Sequence, residues 1–198
     1  MPKFGKNRFP EGYQKDVGMK ANKKLHQNSK ELVSILKENF LPVSDFKVFE
    51  LGGGGARNLH YIAEEFPGVK LYCSDLFRDA SMDQMSSSIK DKITFYEGDS
   101  EDVINENIID NLDLLLVSDH FMHLQYGKAD NIIKSVISKW KPKYVMLREL
   151  KKEGETPNHP RLFHDYNQFL DSYDMMFESS SKQDTGYFIW LLKRKKGN

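Results

Sequence analysis

Apolar positions along the chain fall into two alternating rhythms. From about Lys20 to Phe40, the residues Leu25, Leu32, Val33, Ile35, Leu36 and Phe40 recur at three- and four-residue intervals, which predicts one helix face. Pro42 closes that helix and Ser44-Asp45 begins a turn. Short apolar runs then alternate with helical stretches. Val48 to Leu51 reads as a strand running into glycines, and Ala56 to Phe66 as a helix stopped by Pro67-Gly68. Val69 to Ser74 predicts a second strand, Arg78 to Ser88 a helix, and Ile93 to Tyr96 a third strand, with a short helix from Ser100. Leu112 to Val117 is the most apolar run and fits a central strand buried on both faces. Met122 to Trp140 reads as an amphipathic helix ended by Lys141-Pro142, and Tyr144 to Leu147 as the next strand.

Strands separated by helices imply a parallel sheet with helices on both faces. The rhythm breaks near the C-terminus. MMFESSS (from Met175) and YFIWLLKRK (from Tyr187) are joined by Lys182 to Gly186, short enough for a hairpin and too short for a parallel crossover. The expected fold is therefore α/β: a doubly wound, mostly parallel seven-stranded sheet ending in a C-terminal antiparallel hairpin. A length of 198 residues favours one domain. Within it, residues 1–40 form a basic arm and helix, 46–149 a ligand-binding core, and 150–198 a substrate-side segment with the terminal hairpin.

Composition narrows the class. Apolar residues at 39% and charged residues at 29% describe a globular chain with a well-charged surface. No apolar run approaches the roughly 18 residues of a membrane span, and the N-terminus lacks the apolar core of a secretory signal. A single cysteine, Cys73, excludes an internal disulfide and fits a reducing compartment, so a cytoplasmic protein is expected. Net charge is zero but uneven: residues 1–30 carry eight Lys/Arg against Glu11 and Asp16. Such an arm attracts phosphates or an anionic substrate, RNA included, or serves as a solvated helix face.

The most informative segment is Glu50-Leu51-Gly52-Gly53-Gly54-Gly55-Ala56-Arg57-Asn58-Leu59, at the first strand-to-helix turn. Glycine there lets backbone approach a ligand, and ligands of open α/β sheets lie beyond the carboxyl ends of the strands. A dinucleotide fingerprint would place its third glycine at position 57, which is Arg57. That reading fails. The segment resembles instead motif I of the class I (Rossmann-like) S-adenosylmethionine-dependent methyltransferases, an acidic residue followed by G-x-G-x-G. Glu50, Gly52 and Gly54 match that pattern, and Ala56 replaces the third glycine.

Two further signals fall where that family places them. The second strand ends LYCSD, so Asp75, with Leu76 after it, stands 25 residues beyond Glu50. The resemblance implies that Asp75 accepts from two ribose hydroxyls. The third strand ends in Gly98-Asp99-Ser100, where Asp99 would accept from the adenine amino group. Each aspartate has a second reading as a helix N-cap. Asp113 to Leu124 (DLLLVSDHFMHL) resembles a segment common in small-molecule members of this class, with Ser118, Asp119, His120 and His123 at the strand end. The resemblance covers Phe46 to Arg148. It implies S-adenosylmethionine as cofactor, held by Glu50, Gly52, Gly53, Gly54, Asn58, Asp75, Leu76, Gly98, Asp99, Ser100 and Ser118.

Catalytic residues are harder to name, because methyl transfer needs orientation and, for some acceptors, removal of a proton. His120 and His123 are the expected candidates, with Glu149, His164 and Asp165 behind them. Asn158 to Tyr166 (NHPRLFHDY) is open to two readings: a substrate cap, or a helix start with Asn158 capping and Pro160 in the first turn. No metal is expected, since the histidines lack cysteine partners at zinc spacing. The place after the fourth strand reads Ser118-Asp119-His120-Phe121, not the Asn/Asp-Pro-Pro-aromatic motif of DNA amino-methylating enzymes. Cys73 lies on the second strand, away from the position of a cytosine-methylating nucleophile. A small-molecule substrate is expected. RNA and a catalytically idle nucleotide-binding module remain as alternatives, and oligomeric state is not predicted.

Overall fold

The structure, a computed structural model, describes residues 22–39, 44–76, 82, 86–106, 108–151, 154–156, 159–161, 163–182 and 186–197. The basic segment up to residue 21, most of the helix expected from Arg78 to Ser88, and the middle of the 182–186 turn lie outside the described residues. Helix α1 (Asn22–Asn39) leads into strand β1 (Lys47–Leu51), helix α2 (Arg57–Glu65) and strand β2 (Lys70–Asp75). The short helix α3 (Ser87–Lys90), strand β3 (Ile93–Glu97), helix α4 (Ser100–Asn105) and strand β4 (Leu114–Ser118) follow. Helix α5 (Tyr126–Ser135) runs into a π-helical turn at Val136–Trp140 and then strand β5 (Tyr144–Leu150).

The remaining elements are a small pair, β6 (Gly154–Thr156) and β7 (His159–Arg161), then helix α6 (Asn167–Ser172) and strands β8 (Tyr173–Ser180) and β9 (Tyr187–Arg194). One seven-stranded sheet has the order β3-β2-β1-β4-β5-β9-β8. Its first five strands are parallel, and β9 pairs antiparallel with both β5 and β8. The expected sheet and terminal hairpin are both present.

Alternation along the strands sorts the core into two layers. Leu114 and Leu116 of β4 pack with Val48, Leu71, Met146 and Leu191 against α1 and α2. Leu115 and Val117 face the other way, with Phe49, Leu51, Val145 and Leu147, against α4, α5 and α6. A strand apolar at every position must be covered on both faces, which is why LDLLLV lies mid-sheet.

Four expected boundaries move, each for a local reason. The helix expected from Met122 instead begins at Tyr126, after a 3-10 turn at Phe121–His123. The Glu149 carboxylate accepts the N–H groups of His120, Phe121 and Met122 (2.8, 2.9 and 3.3 Å), binding the donors of that first turn from outside the helix. Strand β5 runs three residues further than expected, because β9 pairs with it up to Leu150 opposite Tyr187. Asn158 lies outside the described residues, and Pro160 does not stand in a helix's first turn: His159–Arg161 is a strand paired with Gly154–Thr156. Helix α6 begins later, where the Asp165 carboxylate accepts the Asn167 N–H at 2.9 Å.

Leu116 is fully buried at the sheet centre. Leu116→Ala is expected to cost about 2–5 kcal/mol of unfolding free energy, read as a lowered midpoint in a urea titration with unchanged slope.

Candidate functional site

The chain leaves β1 toward β2 and β3, then returns to the other side of β1 with β4 and β5. Loops at the carboxyl ends of β1 and β4 therefore diverge, and the crevice between them is the ligand position of open α/β sheets. The glycine loop, the Asp75 and Asp99 strand ends and the Ser118–His123 segment all lie at this end.

The loop is held by specific contacts. The Gly54 N–H donates to Asp75 Oδ2 at 2.9 Å, and the Gly53 N–H to the Ser74 carbonyl at 3.1 Å. Gly52 and Gly54 have φ of +67° and +51°, where a side chain is strained. A Cβ on Gly52 would lie 2.0 Å from His120 Nδ1, and one on Gly53 would lie 2.5 Å from Cys73 Sγ. Among the described residues, only Asp75 Oδ2 comes within 4 Å of a Cβ placed on Gly54, at 3.7 Å, so the loop is least crowded there. Ala56, in the place of the third motif glycine, also has a left-handed backbone, φ +49°. An alanine there costs about 1–2 kcal/mol that glycine would not.

Three carboxylates end the first three strands or follow them. Glu50 is buried, with Oε1 accepting from Asn58 Nδ2 at 2.6 Å and Oε2 without a hydrogen-bond partner. Burial pushes its pKa up to about 7, against the Asn58 hydrogen bond and the Arg57 charge, with Asp75 adding to the rise. Asp75 is half-buried beside Gly54, followed by an exposed Leu76. Asp99 caps α4, its Oδ1 accepting the Glu101 N–H at 3.0 Å, and its Oδ2 pairs with the Lys128 ammonium. Burial opposes the Asp99 carboxylate, yet Lys128 and the capping N–H outweigh it and hold its pKa below the ordinary value. The capping alternative for Asp99 is thus seen directly. Gly98 links the second and third strand ends, its N–H donating to the Asp75 carbonyl at 2.9 Å.

His120 crosses between these loops. Its Nε2 meets Ser100 Oγ at 2.9 Å while Nδ1 packs against Gly52. Burial drives its pKa down to about 4, so the ring is neutral at pH 7. His123 shares the same 3-10 turn, half-buried, with its N–H donating to the His120 carbonyl. Ser118 ends β4 half-buried, and Asp119 follows it with φ +58°. The Asp119 carboxylate pairs with the buried Arg148 guanidinium, which lies 4.2 Å from the centre of the Tyr187 ring.

Glu149 does not serve as an exposed base. It is fully enclosed, and both oxygens accept backbone N–H groups. Burial, helped by Asp119, raises its pKa to about 8 against those three donors. His164 is buried between Tyr126 and Tyr166, and the exposed Asp165 accepts the Asn167 N–H at the start of α6. Sequence reasoning missed Lys128 and Arg148, because a lone basic residue carries no motif and each acquires its partner only across the fold. Among the described residues, no cluster of three metal-binding side chains forms, and no helix is long and apolar enough to cross a membrane.

No family model and no curated relative matches the chain. Similar solved structures are numerous. An O-methyltransferase family protein from Burkholderia thailandensis superposes with TM-score 0.66 at 16% identity, over 96% of this chain and 66% of that one. The fold is that of the Rossmann-like methyltransferases. Magnesium protoporphyrin IX methyltransferase from Synechocystis, solved with bound S-adenosylmethionine, gives TM-score 0.68 at 14% identity, over 96% of this chain and 89% of that one. The 1,6-didemethyltoxoflavin-N1-methyltransferase from Burkholderia thailandensis, solved with that compound and S-adenosylhomocysteine, gives 0.67 at 10% identity, over 93% and 84%. Against the O-methyltransferase family protein, the methyltransferase fold here occupies just under two thirds of the partner's length.

Two outcomes test this geometry. Gly52→Ala is expected to lower stability by more than the roughly 1–2 kcal/mol of left-handed strain, and adding His120→Gly to recover only the excess. A double-mutant cycle by denaturant unfolding reads both. Because the Glu50 pKa is raised in the folded state, the group disfavours folding once ionised. Stability should therefore fall as pH rises from about 4.5 toward 7. Glu50→Gln should remove that part of the decline, of order 3 kcal/mol at pH 8, in urea titrations of both proteins at pH 5 and 8.

Proposed function

We propose that this protein is an S-adenosylmethionine-dependent methyltransferase whose acceptor is a small molecule. One observation carries the reading. Three carboxylates, Glu50, Asp75 and Asp99, gather around a glycine loop at the β1/β4 switch point of a methyltransferase-ordered sheet.

The residues fit the cofactor chemically. S-adenosylmethionine brings a sulfonium, an ammonium, two ribose hydroxyls and an adenine amino group, all cationic or able to donate, and one carboxylate that backbone N–H groups rather than these side chains would have to meet. A site of acceptor-only carboxylates suits such a ligand. Asp75 would take the ribose hydroxyls beside the open side of Gly54, and Gly98, Asp99 and Ser100 would border the adenine. Glu50, Gly52, Gly53 and Asn58 would form the wall next to the methionine part, with Leu76 and Ser118 at the margins. Asp99 is held in a fixed position by the Glu101 N–H and the Lys128 ammonium, so an adenine amino group would have to share one of its oxygens.

The cofactor supplies an activated methyl group, which leaves the protein to bind, align and, where the acceptor needs it, take a proton. His120 is the poorer base, since a group of pKa about 4 holds a proton weakly at pH 7. Its place is in the wall between Gly52 and Ser100, orienting both loops. His123 is the remaining histidine candidate for proton removal on the β4 side. A small-molecule acceptor is supported by the likeness of Asp113 to Leu124 to small-molecule members and by the compounds named for two of the similar structures.

The test is calorimetric titration with S-adenosylhomocysteine. Binding is expected for the wild type, with a raised melting temperature and no effect of NAD. Asp75→Ala should weaken binding about tenfold or more, the loss of hydrogen bonds to a charged acceptor, and Asp75→Asn less. A domain stabilised by NAD and indifferent to S-adenosylhomocysteine would remove the proposal. Release of S-adenosylhomocysteine on incubation with S-adenosylmethionine and a metabolite extract separates an enzyme from an idle binding module.

A further inference from the structure

Helix α1 precedes the glycine loop and contributes no motif residue, yet it reaches the loop through a chain of short hydrogen bonds. Ser29 Oγ donates to Asn58 Oδ1 at 2.6 Å, and Asn58 Nδ2 donates to Glu50 Oε1 at 2.6 Å. Ser29 is only 1% exposed and Glu50 2%, so water does not substitute readily for either contact. Asn58 has one accepting and one donating end. A carboxylate can only accept, so an ionised Glu50 requires the amino end of Asn58. The carbonyl end then faces α1, and a donor must meet it there. The Ser29 hydroxyl is that donor.

The same helix is fastened along its length. His26 Nδ1 and Tyr61 Oη lie 2.7 Å apart, the Lys30 ammonium sits over the Tyr61 ring, and Lys37 pairs with Glu65. Leu32 and Leu36 are buried in the core layer that α1 shares with α2. Glu31 accepts from Ser181 Oγ (2.8 Å) and the Lys182 N–H (2.7 Å), tying α1 to the segment after β8.

We infer that Ser29 is a positioning residue of the cofactor site: by fixing the direction of the Asn58 amide toward Glu50, it couples the seating of α1 to occupancy of the glycine loop. The inference rests on the cofactor reading above and adds to it an element outside the motifs. Among the described residues, the charged and titratable groups facing Glu50 are Arg57 on α2 and Asp75 and Cys73 on β2. None of these changes when Ser29 is altered. Only the Asn58 donor does, and its loss raises the Glu50 pKa further, because that bond favours the carboxylate.

The test measures S-adenosylhomocysteine affinity by calorimetry between pH 6 and 8.5 for the wild type, Ser29→Ala, Glu50→Gln and the double variant. Ser29→Ala is expected to weaken binding roughly fivefold and to move the pH midpoint of affinity upward. The double variant should bind no worse than Glu50→Gln alone, although Ser29 and Glu50 share no direct hydrogen bond. A residue that merely packs α1 would lower the melting temperature and leave affinity, midpoint and additivity untouched, and that result overturns the inference. Should Ser29→Ala fail to fold, hydrogen exchange of the wild type decides. Slower exchange across residues 26–36 on adding S-adenosylhomocysteine supports the coupling, and unchanged exchange overturns it. A wild type that does not bind S-adenosylhomocysteine overturns the cofactor reading and this inference with it. Binding with strict additivity overturns the inference alone.

Discussion

Parallel pairing of β1 with both β2 and β4 is the constraint on which the rest of this molecule depends. With neighbours on either side, β1 has its backbone donors and acceptors used, and its side chains must satisfy two apolar layers. Val48 faces α1 and α2, while Phe49 and Leu51 face the other layer. Glu50 is then left as a buried charged group at the carboxyl end, while Lys47 at the strand's start reaches out to the Asp110 carbonyl. The sheet winds away from β1 in both directions, so loops leaving β1 and β4 separate and open a crevice above Glu50.

What lines that crevice is set by polar groups that the apolar layers cannot accommodate alone. Glu149 sits under the 120–122 turn and gathers three backbone N–H groups, and this fixes His120 against Gly52 and Ser100. Next to it in sequence, Arg148 points toward Asp119 and rests on Tyr187. Removing Asp119 would leave the buried Arg148 guanidinium without its carboxylate, at more than the cost of losing a surface ion pair. These contacts join β4, β5 and β9, so the antiparallel end of the sheet supports the site although it contributes no glycine or motif carboxylate to it. On the opposite flank, Ser29 and Asn58 connect α1 to Glu50. The crevice is braced from both layers.

The glycines take on distinct tasks in this setting. Gly52 makes room for an imidazole and Gly53 for a thiol and a carboxyl group, both from the protein itself. Gly54 is the one of the three whose missing side chain would meet little besides Asp75. Gly54 and Asp75 thus leave open space between them, while the other two glycines let the walls close.

Sequence by itself determined the layers and the location of the chemistry. The short apolar runs of β1 and β9, the unbroken run in β4 and the glycines after β1 are local signals, and local signals survive without the fold. They were enough to place a parallel sheet, a terminal hairpin and acidic strand ends around one loop. Tertiary structure alone decided which polar groups meet. Nothing near Met122 announces that Glu149, 27 residues later, will take its N–H and shorten the helix to start at Tyr126. Likewise His159 to Arg161, open in sequence to a substrate cap or a helix start, becomes a strand only when Gly154 to Thr156 comes alongside to pair with it. The pKa of Glu50, the neutrality of His120 and the pairing of Asp99 with Lys128 all depend on burial and on charges brought across the fold. Such terms arise from distance in space, which spacing along the chain does not encode.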